Sequence, residues 1–500
     1  MSALAPTHGT CSQLSRGKLT RRSWPDRLGS VLLGTMLVGL ASCGGGGGGG
    51  GGFFPSASTP PPAAPVPEVP APPAGPGATY TVSGNVSGLL GSGLVLQNNA
   101  GDDLAIAANG TFSFSTKLPG GAAYAVTVKS QSRILTRVCT VGNGTGTVAD
   151  AAVTNVAVTC AAPAARFAYV TNKNSDNLFP YTIDASTGAL GAAGPMLTTG
   201  RAPASIAVEP TGRFAYVVNQ VDATVSVFAV DVGTGALSST GLLPEATGAS
   251  PAFITVDPTG RFAYVANFGD DTVSGYSIDA GTGAVSPMGS PPVPTGRLPN
   301  TITMDPQGRF AYVVNQGSNN VSVYAIDAST GALSPVLTPV LAGITPIAIA
   351  VDPTGRFAYV ANSGSGNVSA YTIDASTGAL SSLVAMPTVS AGTGPNSVAV
   401  DPTGRFAYVT NAYSNAVSGY SIDAITGVLS AMTPPTVPTR TTPLAVTVDP
   451  TGRFAYATNS VSKDISGYTI DAATGALSPL TVQPTVATGG INPQALVLSR

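Results

Sequence analysis

The chain has 500 residues, which is enough for two or three domains. Only 9% of the residues are charged, whereas 61 glycines and 42 prolines favour short strands and turns over helices. The formal charge of −2 at pH 7 provides no basic surface of the kind that nucleic-acid binding needs, so no nucleic-acid partner is expected.

Residues 1–42 have the order of a secretion signal. Five bases and a single acid, Asp26, precede the apolar run LGSVLLGTMLVGLAS, which covers residues 28–42 and is short for a membrane span. The segment Leu40-Ala41-Ser42-Cys43 resembles the lipobox of bacterial lipoproteins, in which the signal is cleaved before a cysteine that then carries the lipid. The alternative is an ordinary signal peptide followed by a chance cysteine.

Cleavage before Cys43 would leave 17 bases against 23 acids and would remove His8, the only histidine of the chain. Residues 43–78 would then form a tether, because nine glycines are followed by a proline-rich stretch and neither can bury a core. The resemblance implies a membrane anchor at Cys43. Gly44, which follows it, resembles the signal for sorting to the outer membrane of a Gram-negative bacterium, facing either the periplasm or the surface.

Residues 79–160 contain short alternating runs such as YTVSGNVSG and VTNVAVTC, which predict a small antiparallel β-sandwich. This domain resembles the Ig-like accessory modules of bacterial surface proteins. Its two cysteines, Cys139 and Cys160, are predicted to form a disulfide because the chain is exported. A metal site would need partner ligands such as histidine, which the mature chain lacks, so neither a metal nor a cofactor is expected.

Residues 165–500 are periodic. The marker is R-F-A-Y-[VA]-x-N, whose phenylalanine recurs at positions 167, 214, 262, 310, 357, 406 and 454. A period of 47 to 49 residues filled with strand signals predicts a propeller blade of four strands. In each unit, strand A is the P-x-x-I-x-V run and a D-P-T-G turn leads to strand B, which carries the marker. Strand C reads like VSGYSID, and a D-A-x-T-G turn leads to a looser strand D.

The strand count predicts how the ring closes. Strand B occurs seven times, beginning at Arg166, and strand A occurs seven times, beginning at Pro203. The first strand B has no strand A before it, whereas the last strand A, residues 493–499, has no strand B after it. The C-terminal strand should therefore complete the first blade. We predict an all-β protein, with a seven-bladed β-propeller after the small sandwich.

The repeat resembles the YVTN-type repeat of the lactonase-like seven-bladed propellers. That family includes 6-phosphogluconolactonases and many exported proteins of unassigned activity, and the resemblance covers roughly residues 165–500. It implies the propeller fold, since the shared residues are those that build blades. A family mechanism that relies on a histidine at the mouth cannot operate in this chain, because the mature chain has no histidine.

The polar residues that recur in every unit are interpreted as structural. Each repeated Asp should cap its own turn and each repeated Arg should pair locally. A ring of carboxylates that binds cations is the alternative.

Charged residues that break the repeat are the candidates for a ligand site at the mouth, the face that carries the B–C and D–A loops. They divide into a basic sector around blades 7, 1 and 2 and an acidic sector around blades 2 and 3. Solvated loop charge is the alternative interpretation. The predicted ligand-binding residues are Lys173, Arg201, Glu245, Asp270, Asp271, Arg297, Arg440 and Lys463.

We expect a binding or scaffold protein of the cell envelope whose mouth takes an envelope polymer, a sugar lactone or a protein. No catalytic residue is assigned. The alternative is a lactonase-type hydrolase, similar to 6-phosphogluconolactonases, with Glu245 or Asp271 as the base and Arg201 or Arg297 stabilising an oxyanion.

Overall fold

A computed structural model describes residues 77–132, 137–161, 163–289 and 291–499. The predicted signal peptide, Cys43 and nearly all of the predicted tether lie outside these residues. None of the helical segments in the described ranges has the length and apolar character needed to cross a membrane. Short strands make up most of the described chain, as the composition predicts, and a 3₁₀ turn occurs at Lys173–Ser175.

The first part of the described chain forms two four-stranded sheets, in the orders β5-β2-β10-β8 and β4-β3-β7-β9, together with a β1–β6 pair. One hydrophobic cluster takes residues from both sheets, including Val86, Leu96 and Val158. The strands are β1 (Thr79–Tyr80), β2 (Val82–Ser87), β3 (Leu94–Asn98), β4 (Asp102–Ile106), β5 (Gly110–Ser113), β6 (Leu118–Pro119), β7 (Ala123–Ser130), β8 (Val138–Gly142), β9 (Thr145–Thr147) and β10 (Val153–Ala161).

The sheets of this region are not purely antiparallel, so the sequence prediction is wrong on that point. Strands β2 and β10 pair in parallel, which needs a long crossover, and the strands between them in the chain supply it. Strand β10 also pairs with β8, where Cys160 lies opposite Cys139 and the two sulfur atoms are 1.98 Å apart. The oxidation of this pair in an exported protein and the Ig-like resemblance both stay predictions.

The rest of the described chain folds into seven consecutive four-stranded blades. In six blades the fourth strand is split into two short pieces that both pair with strand C, which is the looseness that the sequence predicts for strand D. Blade 1 consists of β11 (Phe167–Asn172), β12 (Asn177–Ile183), β13 (Leu190–Ala192) and β14 (Leu197–Thr198), with β44 described below. Blade 2 consists of β15 (Pro203–Val208), β16 (Phe214–Asn219), β17 (Thr224–Val230), β18 (Leu237–Ser239) and β19 (Glu245–Ala246), and blade 3 of β20 (Pro251–Val256), β21 (Phe262–Asn267), β22 (Thr272–Ile278), β23 (Val285–Pro287) and β24 (Val293–Pro294).

The remaining blades repeat this order. Blade 4 consists of β25 (Pro299–Met304), β26 (Phe310–Asn315), β27 (Asn320–Ile326), β28 (Leu333–Pro335) and β29 (Val340–Leu341), and blade 5 of β30 (Pro346–Val351), β31 (Phe357–Asn362), β32 (Asn367–Ile373), β33 (Leu380–Ser382) and β34 (Thr388–Ser390). Blade 6 consists of β35 (Pro395–Val400), β36 (Phe406–Asn411), β37 (Ala416–Ile422) and β38 (Leu429–Pro438), and blade 7 of β39 (Pro443–Val448), β40 (Phe454–Asn459), β41 (Asp464–Ile470), β42 (Leu477–Pro479) and β43 (Thr485–Ala487).

The C-terminal strand β44 (Pro493–Ser499) closes the ring. It pairs antiparallel with β11, so that Leu496 lies opposite Val170 and Leu498 opposite Ala168. Blade 1 therefore takes its innermost strand from the end of the chain, and the predicted seven-bladed closure is confirmed. Covering the inner edge of β11 in this way leaves no unpaired edge strand at the start of the ring.

The R-F-A-Y marker joins each blade to the next one, as blade 3 illustrates. The Arg261 guanidinium lies over the Phe262 ring, 4.9 Å from its centroid, and donates a hydrogen bond to the carbonyl oxygen of Ala328 in blade 4. The hydroxyl of Tyr264 donates to the carbonyl oxygen of Gly331 at 2.7 Å. A Cβ on Gly331 would lie 2.6 Å from the Phe262 ring, which explains the glycine in each D-A-x-T-G turn.

These contacts modify one prediction. The repeat arginines do pair locally, as expected, since Nε of Arg261 donates to the Thr259 hydroxyl of its own turn. They also cross to the neighbouring blade, which no local pattern could indicate. All six residues of strand B are buried in every blade, because blades pack on both of its faces.

The repeated carboxylates cap turns, which confirms the structural interpretation. Asp257 accepts hydrogen bonds from the backbone N–H groups of Arg261 and Phe262, both at 2.7 Å. Asp327 accepts bonds from the Ser329 hydroxyl and from the backbone N–H of Thr330, and these bonds hold the pKa of Asp327 well below its usual range. Within the described ranges, no group of three or more His, Cys, Asp or Glu could hold a metal ion.

Candidate functional site

The mouth is built from short loops that are tied together in pairs. In each blade the backbone of the B–C loop donates a hydrogen bond to the D–A loop that precedes the blade, for example from Gly317 to the carbonyl of Arg297 at 2.9 Å. The same bond joins Gly364 to Ile344 at 3.0 Å. Backbone pairing of this kind holds the loop residues at defined positions around the ring axis.

A cavity of about 580 Å³ runs along the axis of the ring. Its wall comes from strand A of all seven blades, because strand A is the innermost strand of each sheet. The volume falls within the range of roughly 300–1,000 Å³ that is typical of small-molecule pockets. We call this cavity the axial channel.

The mouth end of the axial channel is lined mainly by neutral polar side chains. The residue after strand B contributes Gln220, Phe268 and Gln316 in blades 2 to 4. The second residue of strand A contributes further amides. One pair is fixed, since Nδ2 of Asn300 donates to Oε1 of Gln316 at 3.0 Å. The channel-lining amides are Gln220, Asn300, Gln316, Asn396 and Gln494, and hydroxyls lie deeper at Ser205, Thr255, Thr301, Ser397 and Thr447.

Lys173 is the one ionisable side chain among the described residues that line the axial channel. It follows β11 directly and is half-buried, and its backbone N–H donates to the carbonyl of Asn492 at 3.0 Å. Within the described ranges its amine makes no hydrogen bond or ion pair. Burial lowers the pKa of the Lys173 amine, because desolvation disfavours the charged form. Of the eight predicted site residues, this is the one that the structure places in the channel wall.

The predicted ligands Asp270 and Asp271, and Asp222 as the partner of the predicted Arg201, are used by the loops themselves. Asp222 accepts bonds from the backbone N–H and from Nε of Arg201, both at 2.6 Å, and these bonds hold the pKa of Asp222 below its usual value. Asp270 accepts the backbone N–H of Ala249, and Asp271 accepts that of Leu298 at 2.7 Å. In the other five blades a serine hydroxyl takes the place of the Asp222 or Asp270 carboxylate and accepts the backbone N–H of the D–A loop. These serines are Ser175, Ser318, Ser365, Ser414 and Ser462.

Glu245 and Arg297 lie away from the wall of the axial channel. Glu245 begins β19, which pairs with strand C through Val225 and so lies outside the inner strands. The backbone N–H of Arg297 donates to the Ser318 hydroxyl at 2.8 Å, while its guanidinium is exposed and makes no hydrogen bond or ion pair in the described part of the chain. The predicted acidic sector is therefore not gathered at the channel.

Two residues of the predicted basic sector, Lys463 and Lys173, lie in loops that are hydrogen-bonded through Thr488. The carbonyl of Lys463 accepts the backbone N–H of Thr488 at 3.0 Å, and Nδ2 of Asn172 donates to the carbonyl of Thr488 at 3.1 Å. Lys463 and Lys173 thus belong to adjoining loops of blades 7 and 1. Lys463 itself is exposed.

Blade 7 departs from the repeat at two positions that meet. In the other six blades the D–A loop carries a glycine, and an added Cβ would lie 2.5 to 2.8 Å from the buried asparagine that ends strand B. Blade 7 has Arg440 instead, and strand C begins with Asp464 where the other blades have Asn, Thr or Ala. Nε of Arg440 donates to Asp464 at 3.1 Å, and Asn459 donates to the other carboxylate oxygen at 2.8 Å.

The charged residues that break the repeat gave no indication of the neutral residues that line the channel. An alignment of the seven repeats does indicate some of these neutral residues. The position after the strand-B asparagine is Lys, Gln, Phe and Gln in blades 1 to 4, but Ser, Ala and Ser in blades 5 to 7. Large side chains at this position therefore lie on one side of the channel.

Comparisons with known proteins agree with this architecture. The family model described as "Lactonase, 7-bladed beta-propeller" matches residues 125–250, 241–347 and 345–500. No curated protein matches the chain. A putative 6-phosphogluconolactonase from Bacteroides uniformis has 20% identity and a TM-score of 0.59, covering 67% of this chain and 99% of its own.

Two further solved structures are similar. One from Bacteroides fragilis, also described as a putative 6-phosphogluconolactonase, has 20% identity and a TM-score of 0.58, with 67% of this chain and 98% of its own covered. The periplasmic gluconolactonase of Pseudomonas aeruginosa has 18% identity and a TM-score of 0.55, and the match covers 67% of this chain and 99% of the gluconolactonase. At such identities the likeness shows the shared fold. Because the family model matches well over half of the chain, the chain belongs to the lactonase family of seven-bladed β-propellers.

Proposed function

We propose that the protein binds a small polyhydroxylated molecule, a sugar or a sugar acid, at the mouth end of the axial channel. The observation that carries the proposal is the channel lining of five neutral amides beside Phe268. An amide both donates and accepts hydrogen bonds, so it can pair with hydroxyl groups in either direction. The partly exposed Phe268 ring adds an apolar surface for the C–H face of a sugar.

Lys173 extends the ligand class to acids. A carboxylate of the ligand would find the unpaired Lys173 amine at the channel wall and would gain an ion pair in a partly desolvated setting. Neutral sugars would use the amides alone. The proposal therefore predicts that a sugar acid binds more tightly than the corresponding polyol.

Binding without hydrolysis is the preferred form of this proposal. Opening a lactone with water requires a base that activates the water. Among the described residues that line the channel there is no carboxylate and no imidazole. Asp271, one base of the predicted hydrolase, is engaged with the backbone of Leu298, and Glu245, the other, belongs to an outer strand.

A lactone hydrolase is the second candidate, and one observation favours it. Solved structures with the same fold are described as 6-phosphogluconolactonases or as a gluconolactonase. In such an enzyme the amine of Lys173 would be the available base, because Lys173 is the one ionisable residue among the described residues that line the channel.

The proposed location is the cell envelope. The lipobox-like segment that ends at Cys43, together with the glycine- and proline-rich tether, supports export and lipid anchoring. A ligand would then be met outside the inner membrane, where the tether would hold the propeller away from the lipid surface.

Calorimetric titration of the full-length protein with sodium gluconate and with sorbitol tests the binding proposal. The Gln316→Ala variant removes one channel amide and should weaken gluconate binding by about fivefold, since one hydrogen bond contributes on the order of 1 kcal/mol. The matched control is Gln307→Ala, which removes an exposed glutamine from the D-P-Q-G turn of the same blade on the opposite face. This control should bind like the unmodified protein.

Hydrolysis is measured separately as acid release from glucono-1,5-lactone at constant pH. A rate equal to the spontaneous rate, together with gluconate binding, supports a binding protein. A rate well above the spontaneous one that is lost in Lys173→Met or Glu245→Gln would assign the hydrolase instead. If neither gluconate nor sorbitol binds, the proposed ligand class is wrong.

A further inference from the structure

Lys173 differs from its counterparts in the other six blades in a way that bears on chemistry. The equivalent residues are Gln220, Phe268, Gln316, Ser363, Ala412 and Ser460, none of which carries a nucleophilic amine. The 3₁₀ turn that begins at Lys173 is held by two bonds to the last D–A loop, from Asn174 to the carbonyl of Ile491 and from Ile491 to the Ser175 hydroxyl. The backbone that carries this amine is therefore fixed at the channel wall.

The surroundings of the amine suit a nucleophile better than a structural cation. A lysine that is withdrawn from water is normally paired with a carboxylate. In the described part of the chain no carboxylate pairs with Lys173, and burial lowers the pKa of its amine. Lysines become nucleophilic toward carbonyl groups when desolvation favours the neutral amine.

We propose that Lys173 captures the carbonyl group of an open-chain hydroxyaldehyde as an imine within the axial channel. The inference rests on the proposed function, because the channel amides would hold the hydroxyl groups of the ligand while its carbonyl carbon faces the amine. The nitrogen lone pair forms the new C–N bond, and the carbonyl oxygen leaves as water after taking two protons from the nitrogen by way of solvent. The step needs no oxidant and no reductant, and water reverses it.

Reductive trapping tests this inference on the full-length protein. The protein is incubated with D-glyceraldehyde and sodium cyanoborohydride, which reduces an imine to a stable secondary amine, and the labelled lysines are identified by peptide mass mapping. Lys117, Lys129 and Lys463 serve as internal controls because each lies outside the channel wall. We expect Lys173 to be labelled at least about 10-fold faster than Lys463, because the ligand carbonyl is held beside its amine.

Two further arms separate the inference from the proposed function. Lys173→Arg should remove the fast label while labelling of Lys463 stays unchanged, and sodium gluconate should slow the labelling of Lys173 alone. Labelling of Lys173 no faster than that of Lys463 overturns the inference, and gluconate binding in calorimetry would then leave the proposed function standing. Fast labelling of Lys173 that gluconate does not slow would instead support the imine and count against the sugar-acid ligand.

Discussion

Replacing Leu496 with alanine tests whether the ring depends on its closing strand. Leu496 lies in β44 opposite Val170 and packs in one cluster with Tyr181 of blade 1 and Tyr456 of blade 7. It is therefore buried at the junction between the last blade and the first. Because β44 pairs with β11, replacing Leu496 with alanine should leave a cavity at this junction.

The magnitude follows from burial. Leu→Ala in a packed core costs about 2–5 kcal/mol, and the 9% exposure of Leu496 points to the lower half, about 2–3 kcal/mol. For a domain of this size each kcal/mol shifts the melting temperature by about 2 °C, so a decrease of about 4–6 °C is expected. The matched control is Ile302→Ala, which changes the same position of strand A in blade 4 and is 0% exposed, so it should cost at least as much.

The two variants are compared by urea unfolding, followed by far-ultraviolet circular dichroism, and by amide hydrogen exchange over residues 167–172. In Leu496→Ala this segment should exchange faster than in Ile302→Ala, because its inner-edge hydrogen bonds go to β44. A cost below about 0.5 kcal/mol for Leu496→Ala, beside a full effect of Ile302→Ala, would refute the closure argument.

Two other predictions concern the turn carboxylates and the anchor. Turn hydrogen bonds hold the pKa of the aspartate that begins each C–D turn, Asp327 among them, below its ordinary value. The stability that these carboxylates contribute is therefore present above about pH 4, and it is lost as the pH falls through their pKa in the folded protein. In urea titrations the unfolding free energy should decrease below about pH 4, and less steeply in Asp327→Asn than in the unmodified protein; equal slopes would contradict the capping argument. Cells that make Cys43→Ser should release the protein from the membrane fraction, since the thiol that would carry the lipid is gone; retention equal to that of the unmodified protein would exclude the anchor.

The blade architecture could be predicted because its determinants are local and repeated. In blade 3, strand B reads Phe-Ala-Tyr-Val from Phe262 to Val265 with no polar alternation, which indicates burial on both faces. Seven copies of strand A displaced by one unit from seven copies of strand B allowed only one closure. The strand pairing of the small domain was harder to predict from the sequence, because β2 and β10 pair in parallel although they lie about 70 residues apart, and such a pairing leaves no local signal.

The site could be predicted only in part, because the role of a loop residue depends on what lies across the loop. Asp222 and Asp270 break the repeat as charged residues, yet each makes a bond that Ser318 makes in blade 4. Arg440 was selected for its charge. That it stands where the other blades have a glycine, and that it pairs with Asp464, became apparent only from the contact between the two side chains. Gln220 and Gln316 were passed over, although both line the channel.

The sequence by itself determined the strand order of a blade, since its burial and turn patterns are complete within one repeat of 47 to 49 residues. The number of blades and the place where the ring closes followed from the count of these repeats and from the unpaired strands at the two ends of the series. Only the tertiary structure decided which side chains face the axis. Closure of the ring brings Lys173, Asn300 and Gln494 to one channel from loops and strands that lie far apart in the chain. The physical reason is that a channel wall is a property of the assembled ring, in which seven separate repeats each contribute a few side chains, and no single repeat contains it.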